Sequence, residues 1–98
     1  MSFDSGPLDR TISAAIGDDP VLGLDLRSAF TESARDLADL MRRARCDANW
    51  EAAALRLKSL AATFGIISLI ELADEAMEGA PGDPLVLRQI NQAIDAIG

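Results

Sequence analysis

Apolar residues recur every three or four positions in successive stretches of this chain, and that period is the spacing of one face of an α-helix. Glycine, proline and aspartate separate the stretches at short intervals. No stretch alternates apolar and polar residues for long enough to predict a strand. The pattern therefore predicts an all-α fold in which each helix buries one apolar stripe against its neighbours.

Two helices are predicted in the first half of the chain. The first is short and covers about 7–16, with a proline early in its first turn. The second runs from about Pro20 or Leu24 to about Cys46. Its expected core stripe consists of Leu26, Phe30, Ala34, Leu37, Met41 and Ala44. The ion pairs expected along its surface join Glu32 to Arg35, and Asp39 to Arg42 and Arg43.

Three further helices are predicted in the second half. Asp47 is expected to cap the first of these three, and Gly65 is expected to end it. Residues 68–71 have the form of a capping box for the next helix. Asp83, just before Pro84, is expected to cap the last one. The expected core residues are Trp50, Ala53, Ala54, Leu57, Leu60, Ala61, Phe64, Ile70, Leu72, Ala73, Ala76, Met77, Leu87, Ile90, Ile94 and Ile97.

The length of 98 residues predicts a single domain over 1–98. Four substantial helices joined by short connections favour an antiparallel up-down four-helix bundle over about 20–97. The short helix over about 7–16 is then an extra N-terminal element.

The composition argues against several classes of partner. The net charge is −7 and the isoelectric point is about 4.3, so neither nucleic acid nor an anionic membrane is an expected partner. Cys46 is the only cysteine, which excludes an internal disulfide and favours a cytoplasmic protein. No apolar run approaches the length of a membrane span, and no signal peptide is predicted.

The helix that follows Asp47 is expected to carry a leucine on its outer face. If Leu57 is at the centre of the buried side, Leu55 lies roughly 160° away from it around the helix axis. The same rotation places Lys58, Ser59 and Ala62 on the outer face with Leu55. The periodicity therefore predicts an exposed leucine with small and polar neighbours.

The stretch over residues 55–65, LRLKSLAATFG, resembles the signature of histidine-containing phosphotransfer (HPt) domains, which runs roughly His-x-Leu-Lys-Gly-Ser-Ala-x-x-x-Gly. The positions in register are Leu57, Lys58, Ala61 and Gly65. Leu55 stands where the family has its phosphorylated histidine, and Ser59 stands where it has a glycine. The resemblance extends over about 24–97 and implies an HPt-like helical bundle.

In HPt domains the histidine projects outward, the lysine three residues later sits beside the phosphoryl group, and a small residue four later lets a receiver domain approach. This chain contains no histidine, and the leucine side chain has no lone pair with which to attack phosphoaspartate. Phosphotransfer through histidine is therefore excluded. The resemblance implies a non-enzymatic pseudo-phosphotransfer protein that binds a response-regulator receiver domain or a histidine kinase and needs no cofactor.

The resemblance and the helical periodicity together predict a partner-binding face centred on Leu55. Its expected residues are Leu55, Lys58, Ser59, Ala62, Arg56 and Glu51. Two other interpretations of the exposed leucine stay open: a surface position with no present role, and a face that joins two copies of the chain. A structural or self-associating helical module is accordingly the alternative function, although a monomer is favoured over a homodimer.

No other group of residues predicts a catalytic or metal site. The next helix carries an acidic stripe on its solvent side, formed by Glu71, Asp74, Glu75 and Glu78. A metal site in a helical bundle would need carboxylates and histidines that point inward instead. Cys46 is interpreted as an inert helix-end cysteine, and the basic residues just before it suit the negative end of a helix dipole. Without histidine, neither a Ser-His nor a Cys-His pair is possible.

Overall fold

The computed structural model describes residues 20–97, with side chains from residue 26 onward. This range contains four α-helices and no strands: α1 (Pro20–Arg43), α2 (Asp47–Phe64), α3 (Ile67–Glu78) and α4 (Pro84–Ile97). The all-α prediction is thus confirmed for this part of the chain. The helix predicted over about 7–16 lies outside the described residues.

The four helices enclose one hydrophobic core. α1 packs against α2 and α4, and α3 packs against the same two helices. Each large apolar side chain that is fully buried in such a core stabilises the fold by about 1.5–3 kcal/mol. The largest fully buried side chains are Trp50, Phe30, Met41, Leu57, Ile66, Leu69, Ile90 and Ile94.

The predicted core stripes are confirmed at their centres and are wider than predicted. Eight of the expected residues are only partly buried: Leu26, Ala44, Leu60, Phe64, Ile70, Leu72, Met77 and Leu87. Five further apolar residues are buried that were not expected to be: Ala38, Ile66, Leu69, Val86 and Ala93. Because every helix contacts two neighbours, each buries two adjoining stripes instead of one.

The carboxyl end of α1 carries the predicted ion pairs. Asp39 accepts hydrogen bonds from both Arg42 and Arg43, with 2.8 Å between its Oδ2 and the Arg43 Nε. The hydrogen bond from Arg42, with a smaller Coulombic attraction, holds the pKa of the Asp39 carboxyl below its usual value. α1 ends at Arg43, slightly before the predicted end at about Cys46.

Two polar contacts connect α1 to α4. The Arg35 Nη2 lies 3.1 Å from Oδ1 of Asp95, so the predicted pairing of Arg35 with Glu32 is wrong. The Arg27 Nη1 donates a hydrogen bond of 3.2 Å to the backbone oxygen of Ile97. That carbonyl belongs to the last turn of α4, where a helix has no backbone donors left for its own oxygens.

Only one of the three predicted N-terminal caps is confirmed. The Asp83 carboxylate accepts a hydrogen bond of 2.9 Å from the backbone N–H of Leu85 in the first turn of α4. Asp47 is instead the first residue of α2, one position too late to cap it. α3 begins at Ile67 without a side-chain cap, so the capping box predicted to start at Ser68 is also wrong.

The turn at Gly65 explains why α3 begins early. Gly65 has a left-handed backbone with φ 69°, and it ends α2 as predicted. Its N–H donates to the Ala62 oxygen at 3.2 Å, and the N–H of Ile66 donates to the Ala61 oxygen at 2.9 Å. This pair of bonds is a Schellman motif, which commonly turns an apolar side chain inward. Ile66 is 2% exposed, and α3 starts directly after it.

Replacing Gly65 with alanine is expected to lower the free energy of unfolding by about 1 kcal/mol, because a Cβ makes the left-handed backbone unfavourable. Gly65→Asn is the control, since asparagine tolerates that conformation better and should lose less. Urea unfolding followed by far-UV circular dichroism measures both losses. Equal losses in the two variants would contradict a backbone cause.

A candidate docking surface between the first two helices

Leu55 lies on the outer side of α2, as its helical position predicts. It is 54% exposed, whereas Leu57 on the same helix is fully buried. Ser59 and Ala62 are exposed on the same side of α2, about one and two turns later. The structure therefore presents a large apolar side chain to solvent beside two small ones.

Leu55 forms part of the wall of an open cleft between α1 and α2, with a volume of about 530 Å³. α1 contributes Ser33, Asp36, Leu37 and Leu40 to the cleft, and α2 contributes Leu55, Arg56, Ser59 and Leu60. Leu37 is buried and Leu60 is half-buried, so these two form its apolar floor. The expected binding face of α2 thus continues onto a second helix.

Leu40 is the exposed apolar residue that α1 contributes to this cleft. The described residues expose four large apolar side chains: Leu40 at 37%, Leu55 at 54%, Ile67 at 63% and Leu85 at 54%. Leu40 and Leu55 line the same cleft, whereas the other two stand at the starts of α3 and α4. Two exposed leucines on one surface form an apolar centre of the kind found in protein interfaces.

Charged side chains of both signs surround the two leucines. Asp36 and Arg56 line the cleft, and within residues 26–97 neither has an ion-pair partner. Arg43 lies in a shallower depression of about 300 Å³ that shares Leu40 and Arg56 with the main cleft. The surface therefore has an apolar centre and a charged rim, in which Asp36 and Arg56 make no ion pair with any other described residue.

Lys58 faces away from the cleft, toward α3. Its Nζ lies 2.8 Å from Oδ1 of Asp74, and both side chains are about two-fifths exposed. An ammonium group in an ion pair is less available for a phosphoryl group than a free one would be. The residue that matches the HPt lysine is thus already paired with a carboxylate.

The six expected binding residues divide into two sets. The structure brings Leu55, Arg56 and Ser59 together in the cleft. Ala62 and Glu51 are exposed on α2 but do not line the cleft, and Lys58 leans to the opposite side. Five residues of the cleft were not among the expected binding residues: Leu37 and Leu60 were predicted only as core, and Ser33, Asp36 and Leu40 were not predicted at all. Only Leu40 had a signal, since it is a large apolar residue outside the predicted stripe of its helix.

The rest of the described surface offers little to a ligand. Within residues 26–97, no three acidic or cysteine side chains are close enough together to hold a metal ion. Cys46 is an exposed thiol, with Arg45 and Trp50 beside it in a depression of about 130 Å³. None of the four described helices combines the length and the apolarity needed to cross a membrane.

Comparison of this chain with protein-family models, curated proteins and solved structures finds no match. The comparisons therefore assign it to no family.

Proposed function

We propose that this protein is a pseudo-phosphotransfer protein of the HPt type, which binds a receiver domain or a histidine kinase of a two-component system without carrying phosphate. The observation that carries the proposal is the exposure of Leu55. A leucine occupies the position of the phosphorylated histidine in an HPt-like stretch and stands 54% exposed on the outer side of its helix. Leucine keeps an apolar contact possible at this position and removes the nitrogen that phosphotransfer requires.

The proposal includes the antiparallel up-down order of an HPt-like bundle. Contacts between helix ends support that order. The ring of Phe30, in the first half of α1, meets the ring of Phe64 at the end of α2 edge-on, with 5.1 Å between centroids. Trp50, in the first turn of α2, donates a hydrogen bond to the backbone oxygen of Ala76 near the end of α3. The hydrogen bond from Arg27, in the first half of α1, to the last turn of α4 supports an antiparallel arrangement of these two helices as well.

The shape of the surface suits a protein partner. Ser59 and Ala62 have small side chains, so a partner can approach the backbone of α2 closely over the two turns that follow Leu55. The exposed leucine then fills a shallow apolar depression on the partner, and Arg56 provides a charged rim. A few well-packed residues near the centre of a protein interface, from which the surrounding contacts exclude water, carry most of its binding energy.

The pairing of Lys58 with Asp74 supports a role without phosphate. The carboxylate neutralises the cation that would otherwise face an incoming phosphoryl group. A protein with these features competes with a true phosphotransfer protein for the same receiver domain and lowers the flow of phosphate through it. This role favours a cytoplasmic site of action. The presence of a single cysteine, which cannot form an internal disulfide, favours the same location.

Replacing Leu55 with aspartate tests the proposal. We expect binding to weaken by about 2 kcal/mol, or about 30-fold in Kd, because a charge would be desolvated at the centre of the interface. The measurement is a titration of the purified chain against a panel of purified receiver domains and histidine kinases from the same genome. Leu85→Asp is the matched control, since Leu85 has the same exposed fraction, 54%, on a different helix.

Three results are possible. Binding of one receiver domain or kinase that is lost in Leu55→Asp and kept in Leu85→Asp supports the proposal. Absence of binding by any member of the panel contradicts it. If both variants bound the partner as tightly as the original chain, the protein would still have a two-component partner, but Leu55 would not be part of the interface.

A further inference from the structure

We propose that the cleft between α1 and α2 also joins two copies of this chain in a two-fold symmetric dimer. In this dimer, Asp36 of each copy pairs with Arg56 of the other copy. The exposed leucines of the two copies pack against each other, Leu40 of each copy against Leu55 of the other. The inference rests on the cleft itself and not on the proposed binding of a signalling partner.

The two ends of the cleft differ in side-chain size. The contact between the two phenylalanine rings marks one end of the pair of helices. In the antiparallel order proposed above, Ser33 and Ser59 lie roughly 4–8 Å from that level along the helix axes, and Leu40 and Leu55 lie roughly 14 Å from it. The cleft therefore has small side chains at one end and large apolar ones at the other. A two-fold axis that runs along the cleft keeps the two ends in place and lays α1 of each copy over α2 of the other, so leucines meet leucines.

The two unpaired charges follow the same arrangement. The same rise per residue places Asp36 roughly 9 Å and Arg56 roughly 12 Å from the level of the rings, so the two charges stand at similar levels on opposite sides of the cleft. In a two-fold interface, when one residue contacts a second in the other copy, the second also contacts the first. The rotation about an axis along the cleft therefore brings Asp36 against Arg56 of the second copy, twice.

A second copy is favoured over an unrelated protein because it needs no further assumption. An unrelated partner would have to present a cation opposite Asp36 and a carboxylate opposite Arg56, together with apolar side chains opposite the two leucines. A second copy supplies both charges and both leucines at those places by symmetry. Two ion pairs that close at once also fix the orientation of the two copies.

The net charge of −7 opposes self-association, whereas the cleft itself carries charges of both signs. The acidic residues Glu71, Glu75 and Glu78 are on α3, which makes no contact with α1. The cleft and its extension carry Asp36, Arg56 and Arg43, and are not acidic. At physiological ionic strength, exposed charges farther apart than about 8 Å are largely screened. A weak and reversible dimer is the expected result.

The dimer has a consequence for binding at Leu55. Because Leu55 is covered in the dimer, a partner that docks on it can bind only the monomer. Self-association would then keep the docking surface occupied at high protein concentration and release it on dilution.

Sedimentation velocity of the purified full chain, from the micromolar to the millimolar range, tests the inference. We expect a concentration-dependent dimer in the original chain. Asp36→Arg and Arg56→Asp are each expected to weaken it by at least about tenfold in Kd, since each places like charges opposite one another at two symmetric positions. The double variant restores both pairs in reversed orientation and is expected to recover most of the affinity.

Asp36→Arg is the decisive variant, because two explanations predict opposite results. It makes the chain less acidic, so general charge repulsion predicts a tighter dimer, whereas the specific pair predicts a weaker one. Leu85→Asp serves as the control that should dimerise like the original chain. A chain that stays monomeric throughout overturns the inference. So does a dimer that the single reversals leave unchanged, or one that the double variant fails to restore.

Discussion

Replacing Trp50 with alanine is expected to lower the free energy of unfolding by about 4 kcal/mol. Trp50 is 1% exposed and lies between the start of α2 and the end of α3. Its removal leaves a cavity in the core and also deletes a buried hydrogen-bond donor. Urea unfolding followed by far-UV circular dichroism measures the loss, since this signal does not depend on the fluorescence of the side chain that is removed.

Trp50→Phe separates the hydrogen bond from the packing. The Trp50 Nε1 donates a buried hydrogen bond of 2.8 Å to the Ala76 oxygen, which lies in the last turn of α3. Carbonyls in a last turn have no donor of their own helix, so the phenylalanine variant leaves this oxygen without its side-chain donor. We expect a loss of about 2 kcal/mol, from the unpaired oxygen and the smaller ring. Full stability of Trp50→Phe would show that the hydrogen bond contributes nothing.

Replacing Leu57 with alanine is expected to cost about 3 kcal/mol, whereas Leu55→Ala is expected to cost less than about 0.5 kcal/mol. Leu57 is fully buried and Leu55 is 54% exposed, although both belong to the same helix and have the same side chain. Each variant is therefore the control of the other for helix propensity. The comparison of their urea midpoints decides whether α2 presents the face described here.

Equal losses in the two leucine variants would mean that Leu55 is packed in the core, and the docking surface would not exist. The expected difference has a practical use as well. A Leu55→Ala chain that is as stable as the original can be used in binding titrations, where any loss of affinity is then a property of the surface and not of the fold.

Much of the fold was predictable because it depends on local spacing. Leu55 and Leu57 separate into exposed and buried positions through helical rotation alone, and Gly65 ends α2 because it tolerates a left-handed backbone. Asp83 caps α4 as predicted, since it immediately precedes a proline at the first helical position. Each of these predictions needs only the residues within one or two turns.

Two of the wrong predictions were overridden by packing between helices. Arg35 pairs with Asp95 and not with its helical neighbour Glu32, because α4 brings a carboxylate within 3.1 Å. The capping box at Ser68 fails because the core draws Ile66 inward and starts α3 early. Local signals for an ion pair or a cap are weak, at about 1 kcal/mol or less, so packing in the core overrides them.

The candidate site shows the same division. The exposed leucine of α2, its small neighbours and the absence of a histidine that could carry phosphate all follow from the order of residues in the chain. The cleft that Leu40 and Asp36 of α1 form with this leucine, and the pairing of Lys58 with Asp74 of α3, follow only from the packing of the helices. Helical periodicity sets the direction of a side chain about the axis of its own helix, whereas the packing of two helices sets which side chains meet across their boundary.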